Sequence, residues 1–210
     1  MTTVRVKICG ITNKEDALKA VDFGADALGF IFHRSSPRYI DPQRAREIIK
    51  TLPPFVNKVG LFVNEEADNI KKTIDISGVD SLQFHGEEEE FFCSSFNRPW
   101  IKTIKVTVTT NLQKEIGRFL GASALLFDTG DDLLAGGTGK SFEWSLIPDS
   151  LDKPIIVAGG LMPSNVQQVV DVVSPFAVDV CSGVEHKKGK KNINKMKEFI
   201  SRAKKRELHV

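Results

Sequence analysis

The chain has 210 residues, 41% of them hydrophobic and 27% charged, with a net charge of +2, an ordinary globular balance. So small a net charge gives no electrostatic footprint for nucleic acid, and no apolar stretch approaches the roughly 20 residues of a membrane span. The three cysteines, Cys9, Cys93 and Cys181, are odd in number and far apart; they form neither a disulfide framework nor a metal-site spacing, and with no apolar signal core at the N-terminus a reducing cytoplasm is the expected setting.

Strand-like and helix-like runs alternate along the chain. Val4–Cys9 opens it. In a strand, side chains alternate between faces, so Val4, Val6 and Ile8 share one face and Arg5, Lys7 and Cys9 the other. Further strand candidates are 25–32, 57–63, 79–85, 100–106, 124–128, 155–159 and 177–181. Amphipathic segments fall between them at 14–23, 42–52, 66–77, 88–96, 164–173 and 193–205. Thr12-x-x-Glu15 reads as a capping box for the first helix, Asp41-Pro42 as cap and first-turn proline of the second, and Pro163 as the first-turn proline before Ser164–Val173. Threonines and a glycine in Thr107–Gly121 predict an irregular or short fifth helix.

The spacing never pauses at a linker, so residues 1–210 read as one domain. Strict βα alternation predicts a parallel sheet with right-handed crossovers. About eight strands are enough to close a (βα)8 TIM barrel; an open doubly wound sheet is the rival. Two charge runs, Glu87–Glu90 and Lys187–Lys191, read as solvated surface.

Polar residues gather at the strand C-termini, where such folds do chemistry. Cys9 ends the first strand, Gln83 and His85 share a face of the fourth, Asp128 ends the sixth, and Asp179 and Cys181 share a face of the eighth. Each has a plain reading by itself: a free cysteine is commonly a small buried hydrophobe, and a strand-end Asp a turn former. Two glycine turns, Ala158-Gly159-Gly160-Leu161 and Ser182-Gly183-Val184, follow the seventh and eighth strands, where barrels commonly bind phosphate; glycines let backbone N–H groups approach the oxygens. Arg38 stands on the proline-stiffened Ser36-Pro37-Arg38 loop, and a guanidinium suits a carboxylate or phosphate. Ala135–Ser141 fails the P-loop spacing, because its first glycine would fall on Leu134. It reads as a loop hinged by Gly136–Gly139.

Taken together, Lys7-Ile8-Cys9-Gly10-Ile11-Thr12, Ser36-Pro37-Arg38, Val59–Asn64, Gln83-Phe84-His85-Gly86, Phe127-Asp128-Thr129, Gly136–Gly139, Ala158–Leu161 and Asp179–Glu185 resemble, nearly end to end and in order, the phosphoribosylanthranilate isomerases of tryptophan biosynthesis. Cys181 departs from the pattern, since that family more often has serine there. The resemblance implies a (βα)8 barrel that needs no cofactor or metal. It implies the Amadori rearrangement of N-(5'-phosphoribosyl)anthranilate to 1-(2-carboxyphenylamino)-1-deoxyribulose 5-phosphate, with Cys9 as general base and Asp128 as general acid. Arg38 would lie near the anthranilate carboxylate, Gln83, His85 and Asp179 would bind substrate, and Gly159, Gly160, Ser182 and Gly183 would hold the phosphate. The expected partner is this small molecule alone, with no nucleic acid or membrane, and the chain is expected to be a monomer. Such a pair needs an acid that keeps its proton and a base that loses it; Lys7 and the first helix's N-terminus are expected to lower the Cys9 pKa. The alternatives are another phosphosugar barrel and a non-catalytic phosphate-ligand protein.

Overall fold

Eight parallel strands close on themselves in the computed structural model of the protein, which describes residues 3–107, 109–128, 147 and 152–205. They are β1 (Arg5–Ile8), β2 (Ala27–Ile31), β3 (Asn57–Phe62), β4 (Ser81–Phe84), β5 (Trp100–Lys105), β6 (Ala124–Asp128), β7 (Ile155–Ala158) and β8 (Ala177–Val180). Each pairs with its neighbour in sequence, and β1 pairs with β8, Lys7 opposite Asp179 and Ile8 opposite Val180. The fold is a (βα)8 barrel, and the doubly wound alternative falls because its first and last strands would not meet.

The seven described helices are α1 (Lys14–Asp22), α2 (Pro42–Ile49), α3 (Ala67–Ser77), α4 (Glu90–Ser94), α5 (Leu112–Gly117), α6 (Val166–Val173) and α7 (Ile193–Lys204). The connection from β6 to β7 falls largely outside the described residues, and with it the Gly136–Gly139 loop. Alternation divides the barrel into two environments. Val6 and Ile8 face outward into the main core, with Ala17 and Ala20 of α1 and Met196, Phe199 and Ile200 of α7. Inside the barrel, Ala124, Leu126, Ile156, Ala158 and Ala177 form one apolar layer, and Cys9, Ile31 and Leu61 another.

Local signals hold in kind and shift in place. Asp41 caps α2 by accepting from Gln43 N at 2.9 Å, with Pro42 in its first turn. Helix α1 is capped by Asn13, not by a Thr12 box: Asn13 Oδ1 accepts from Asp16 N at 2.9 Å, while the Thr12 hydroxyl donates to Gly189 O. Pro163 lies in a turn ahead of α6, whose N-cap is Asn165. Helix α5 is short, six residues, as its threonine-rich approach predicts.

Neither charge run is wholly solvated. Glu88 is buried on Lys102 of β5 at 2.8 Å and accepts from Asn64 N and Gly86 N. Lys191 is buried in a short hairpin of β9 (Glu185–Lys187) and β10 (Lys190–Lys191), where its Nζ reaches Glu185 at 3.3 Å and its backbone N–H donates to Asp16. Runs of like charge read as surface because the fold, not the spacing, brings their partners Lys102, Glu185 and Asp16 to them.

Candidate active site

One hydrogen-bonded chain crosses the barrel mouth between β8 and β6. Lys7 Nζ donates to Asp179 Oδ2 at 2.6 Å and to Gln83 Oε1 at 2.9 Å. Gln83 Nε2 donates to Thr103 Oγ1 at 3.1 Å and lies 3.4 Å from His85 Nδ1. Its amide has only N–H groups left to offer the ring, so Nδ1 is the acceptor and a neutral His85 carries its proton on Nε2. That Nε2 stands 3.5 Å from Asp128 Oδ2. Burial lowers the His85 pKa, against the pull of Asp128, which keeps the ring neutral near pH 7. Burial would also strip the Lys7 proton, but Asp179 outweighs it and the ammonium is held more firmly than usual. Asp179 Oδ1 is buried without a hydrogen-bond partner among the described residues.

Cys9 lies on the cavity wall, buried, with its thiol against that of Cys181. The hydrogen bond from Cys9 to Cys181 and burial both push the Cys9 pKa well above its ordinary value, and Lys7 opposes them without prevailing. This corrects the expectation that Lys7 and a helix start would lower it. Asp179, paired with Lys7 at 2.6 Å, itself raises the Cys9 value, and α1 begins only at Lys14, five residues on, behind its own Asn13 cap. The shift runs the other way at Cys181: the hydrogen bond from Cys9, with Lys191 and Arg38 nearby, overcomes burial and brings it to about 7.

Arg38 reaches the site over Gly10 and meets a carboxylate already there. Its Nε and Nη2 donate to Glu185 at 3.1 and 2.6 Å. That fork is the bidentate arrangement arginine favours, and it raises the Arg38 pKa further.

The two glycine turns pack on each other. Gly159 and Gly160 hold positive φ of 85° and 59°, a region open to glycine at little cost. Asn165 clamps that turn, donating from Nδ2 to Gly160 O at 3.1 Å and accepting from Met162 N at 2.8 Å. A Cβ on Gly183 would come within 1.8 Å of Leu161 O, so only glycine allows this approach.

These elements enclose a cavity of about 280 Å³. Cys9, Gln83, His85, Asp128, Gly159, Gly160, Asp179 and Ser182 line it over a floor of Ile31, Leu61 and Leu126. Arg38 and Gly183 stand behind the lining. Sequence reasoning did not assign roles to Asn165, Glu185 or Lys191. An Asn one residue before a helix was the available sign for the first. The others are identified only by their partners in space. Among the described residues no group of His, Cys, Asp and Glu is placed to hold a metal ion.

Residues 6–202 match the family model described as N-(5'phosphoribosyl)anthranilate (PRA) isomerase. An N-(5'-phosphoribosyl)anthranilate isomerase of Hahella chejuensis is 51% identical over 197 residues, 94% of this chain and 92% of the relative. The phosphoribosylanthranilate isomerase of Thermotoga maritima superposes with a TM-score of 0.86 at 44% identity, over 96% of this chain and 98% of that one. Another enzyme of that name, solved in complex with reduced 1-(o-carboxyphenylamino)-1-deoxyribulose 5-phosphate, gives 0.85 at 42% identity over the same shares.

Proposed function

The chain belongs to the N-(5'-phosphoribosyl)anthranilate isomerase family and is an isomerase of tryptophan biosynthesis, and from that premise we propose that Cys9 and Asp128 are the base and acid of its Amadori rearrangement. The observation that carries the assignment is that both groups line one cavity beside two glycine turns. Asp128 gives its proton to the ribose ring oxygen, and the ring opens to a Schiff base. Cys9, whose thiol pKa is held above its ordinary value in this structure, must first lose its own proton; as thiolate it takes the proton from C2' of the sugar, leaving an enolamine that tautomerises to the ketone. Neutral His85 donates from Nε2 toward Asp128 and orients the acid, and Gln83 acts through His85.

Substrate binding would draw on this lining and on Arg38 and Gly183 beside it. Backbone N–H groups of the Gly159-Gly160 and Ser182-Gly183 turns would take the phosphate. The unpartnered Asp179 Oδ1 would accept a hydrogen bond from a sugar hydroxyl. Glu185 occupies Nε and Nη2 of Arg38, which leaves Nη1 to meet the anthranilate carboxylate, since a guanidinium has five N–H donors.

The closed ring of eight strands that carries these residues supports one barrel domain. No described helix is long and apolar enough to cross a membrane, and a reducing cytoplasm would keep the Cys9 thiol in its working form. Loss of substrate fluorescence measures turnover directly. Cys9→Ala and Asp128→Ala should each lower kcat by ~10²–10⁴-fold while the barrel stays folded by circular dichroism; full kcat in either variant refutes that residue's role.

A further inference from the structure

Two thiols meet in the cavity, and the reaction uses only one of them. Cys9 and Cys181 directly follow Ile8 and Val180, the last paired residues of β1 and β8, and Cys9 N donates to Val180 O at 2.9 Å. They therefore stand side by side on neighbouring strands, which lie about 4.8 Å apart, inside the Cα separation of about 4.4–6.8 Å that a disulfide spans. Cys181 packs against the inner apolar cluster that holds Cys9, near enough for each thiol to shift the other's pKa. The Cys181 sulfur is also seated over the turn after Cys9, where a Cβ on Gly10 would come within 2.9 Å of it. Cys181 is half-buried and lines the cavity, so it is the thiol that a small solute meets first.

We infer that Cys9 and Cys181 are a hydroperoxide-reactive dithiol, an oxidative modification site at which disulfide formation removes the base of the reaction. Lys191 Nζ lies 3.9 Å from the Cys181 sulfur; it and Arg38 favour the thiolate there, and Glu185 opposes them. Lys7 and Asp179 face Cys9 with opposite effects. A Cys181 thiol near 7 is about half ionised at neutral pH, far more than a free thiol, and the thiolate is the nucleophile. It attacks one oxygen of hydrogen peroxide, forming an S–O bond as the O–O bond breaks and hydroxide leaves. The Cys9 sulfur then attacks the Cys181 sulfur: the S–S bond forms, the S–O bond breaks, and the departing hydroxide takes the Cys9 proton as water. The two thiols lose two electrons and the peroxide is reduced to water. Cys93, buried in α4 with its thiol pushed up to about 12 by burial, takes no part.

The effect on activity rests on Cys9 being the base; the disulfide itself does not. The test is to treat the purified protein with hydrogen peroxide, assay it before and after dithiothreitol, and map its peptides without reduction. The expected result is a cross-link between the peptides holding Cys9 and Cys181, with loss of activity that dithiothreitol restores. Cys181→Ser, measured against its own untreated rate, should form no such cross-link and inactivate more slowly by on the order of tenfold or more, because the remaining thiol is less ionised. Inactivation without the cross-link, resistance to peroxide, or equal rates in the variant would each overturn the inference. A cross-linked protein that stays active would uphold the dithiol and remove Cys9 from its role as base.

Discussion

A lysine as deeply buried as Lys7 keeps its charge only because Asp179 stands 2.6 Å away and Gln83 Oε1 accepts a second hydrogen bond from its ammonium. Removing one partner of such a pair strands the other charge in the interior. Lys7→Met should therefore destabilise the protein by about 3–5 kcal/mol, read as a lower denaturant midpoint at unchanged slope; a smaller loss would mean that water reaches Asp179. Glu185 gives a pH dependence. Burial pushes its pKa up, but Arg38 and Lys191 more than offset this, and it ends below the usual carboxylate range. A carboxyl with a depressed folded value contributes stability above its unfolded pKa of about 4.3, and that contribution is lost as pH falls through the folded value. Stability curves below pH 5 should fall less steeply in Glu185→Gln than in the native protein. An unchanged slope would show that other carboxylates govern acid unfolding. The inward faces of Lys7, Gln83 and Asp179 were legible from period-two alternation. The thiol pKa was not, because it depends on Cys181, 172 residues away along the chain, and on how Asp179 divides the charge of Lys7.

At the scale of elements, the two glycine turns are joined by the close approach of Gly183 to Leu161. A methyl group at 183 would meet a carbonyl oxygen at 1.8 Å, so the turns must part. Gly183→Ala should lower kcat/KM by ~10²-fold, as about 1 Å of misplacement does, with KM rising while Cys9 and Asp128 keep their places. Steady-state kinetics that match the native enzyme would show that the turns yield without cost. Strands and most helices could be read from the sequence because their signals are local: alternation, Asp41-Pro42, a weak first turn in the fifth helix. The start of α6 and the cap of α1 could not, since adjacent Thr12 and Asn13 both qualify as caps and only the Gly189 contact settles which one is free to do so. The β9–β10 hairpin escaped notice for a similar reason, its lysines being indistinguishable in sequence from a solvated run.

For the molecule as a whole, the site joins what the barrel separates. Its lining comes from β1, β2, β3, β4, β6, β7 and β8 or the turns that follow them, so a bound ligand ties together much of the ring. Reduced 1-(2-carboxyphenylamino)-1-deoxyribulose 5-phosphate at 100 times its Kd should stabilise the fold by about 2.7 kcal/mol, raising Tm by roughly 5–11 °C for a protein of this size. Gly183→Ala at the same absolute concentration should gain less, and an equal gain would place the phosphate elsewhere. The number of strands and their order were legible because βα alternation leaves few topologies. The closure between β1 and β8 was an inference from counting, since no residue in either strand announces its partner.

That closure also has a history in time. Lys7 is synthesised 172 residues before Asp179, an interval on the order of 10–30 s at ordinary rates of elongation. Until the last strand emerges, β1 is an open edge and Lys7 a cation without its counter-charge. The Lys191 hairpin that braces Cys181 and Arg38 comes later still. The nascent chain therefore assembles this cavity only once the eighth strand has been made, and a ribosome stalled before it would hold an unclosed ring.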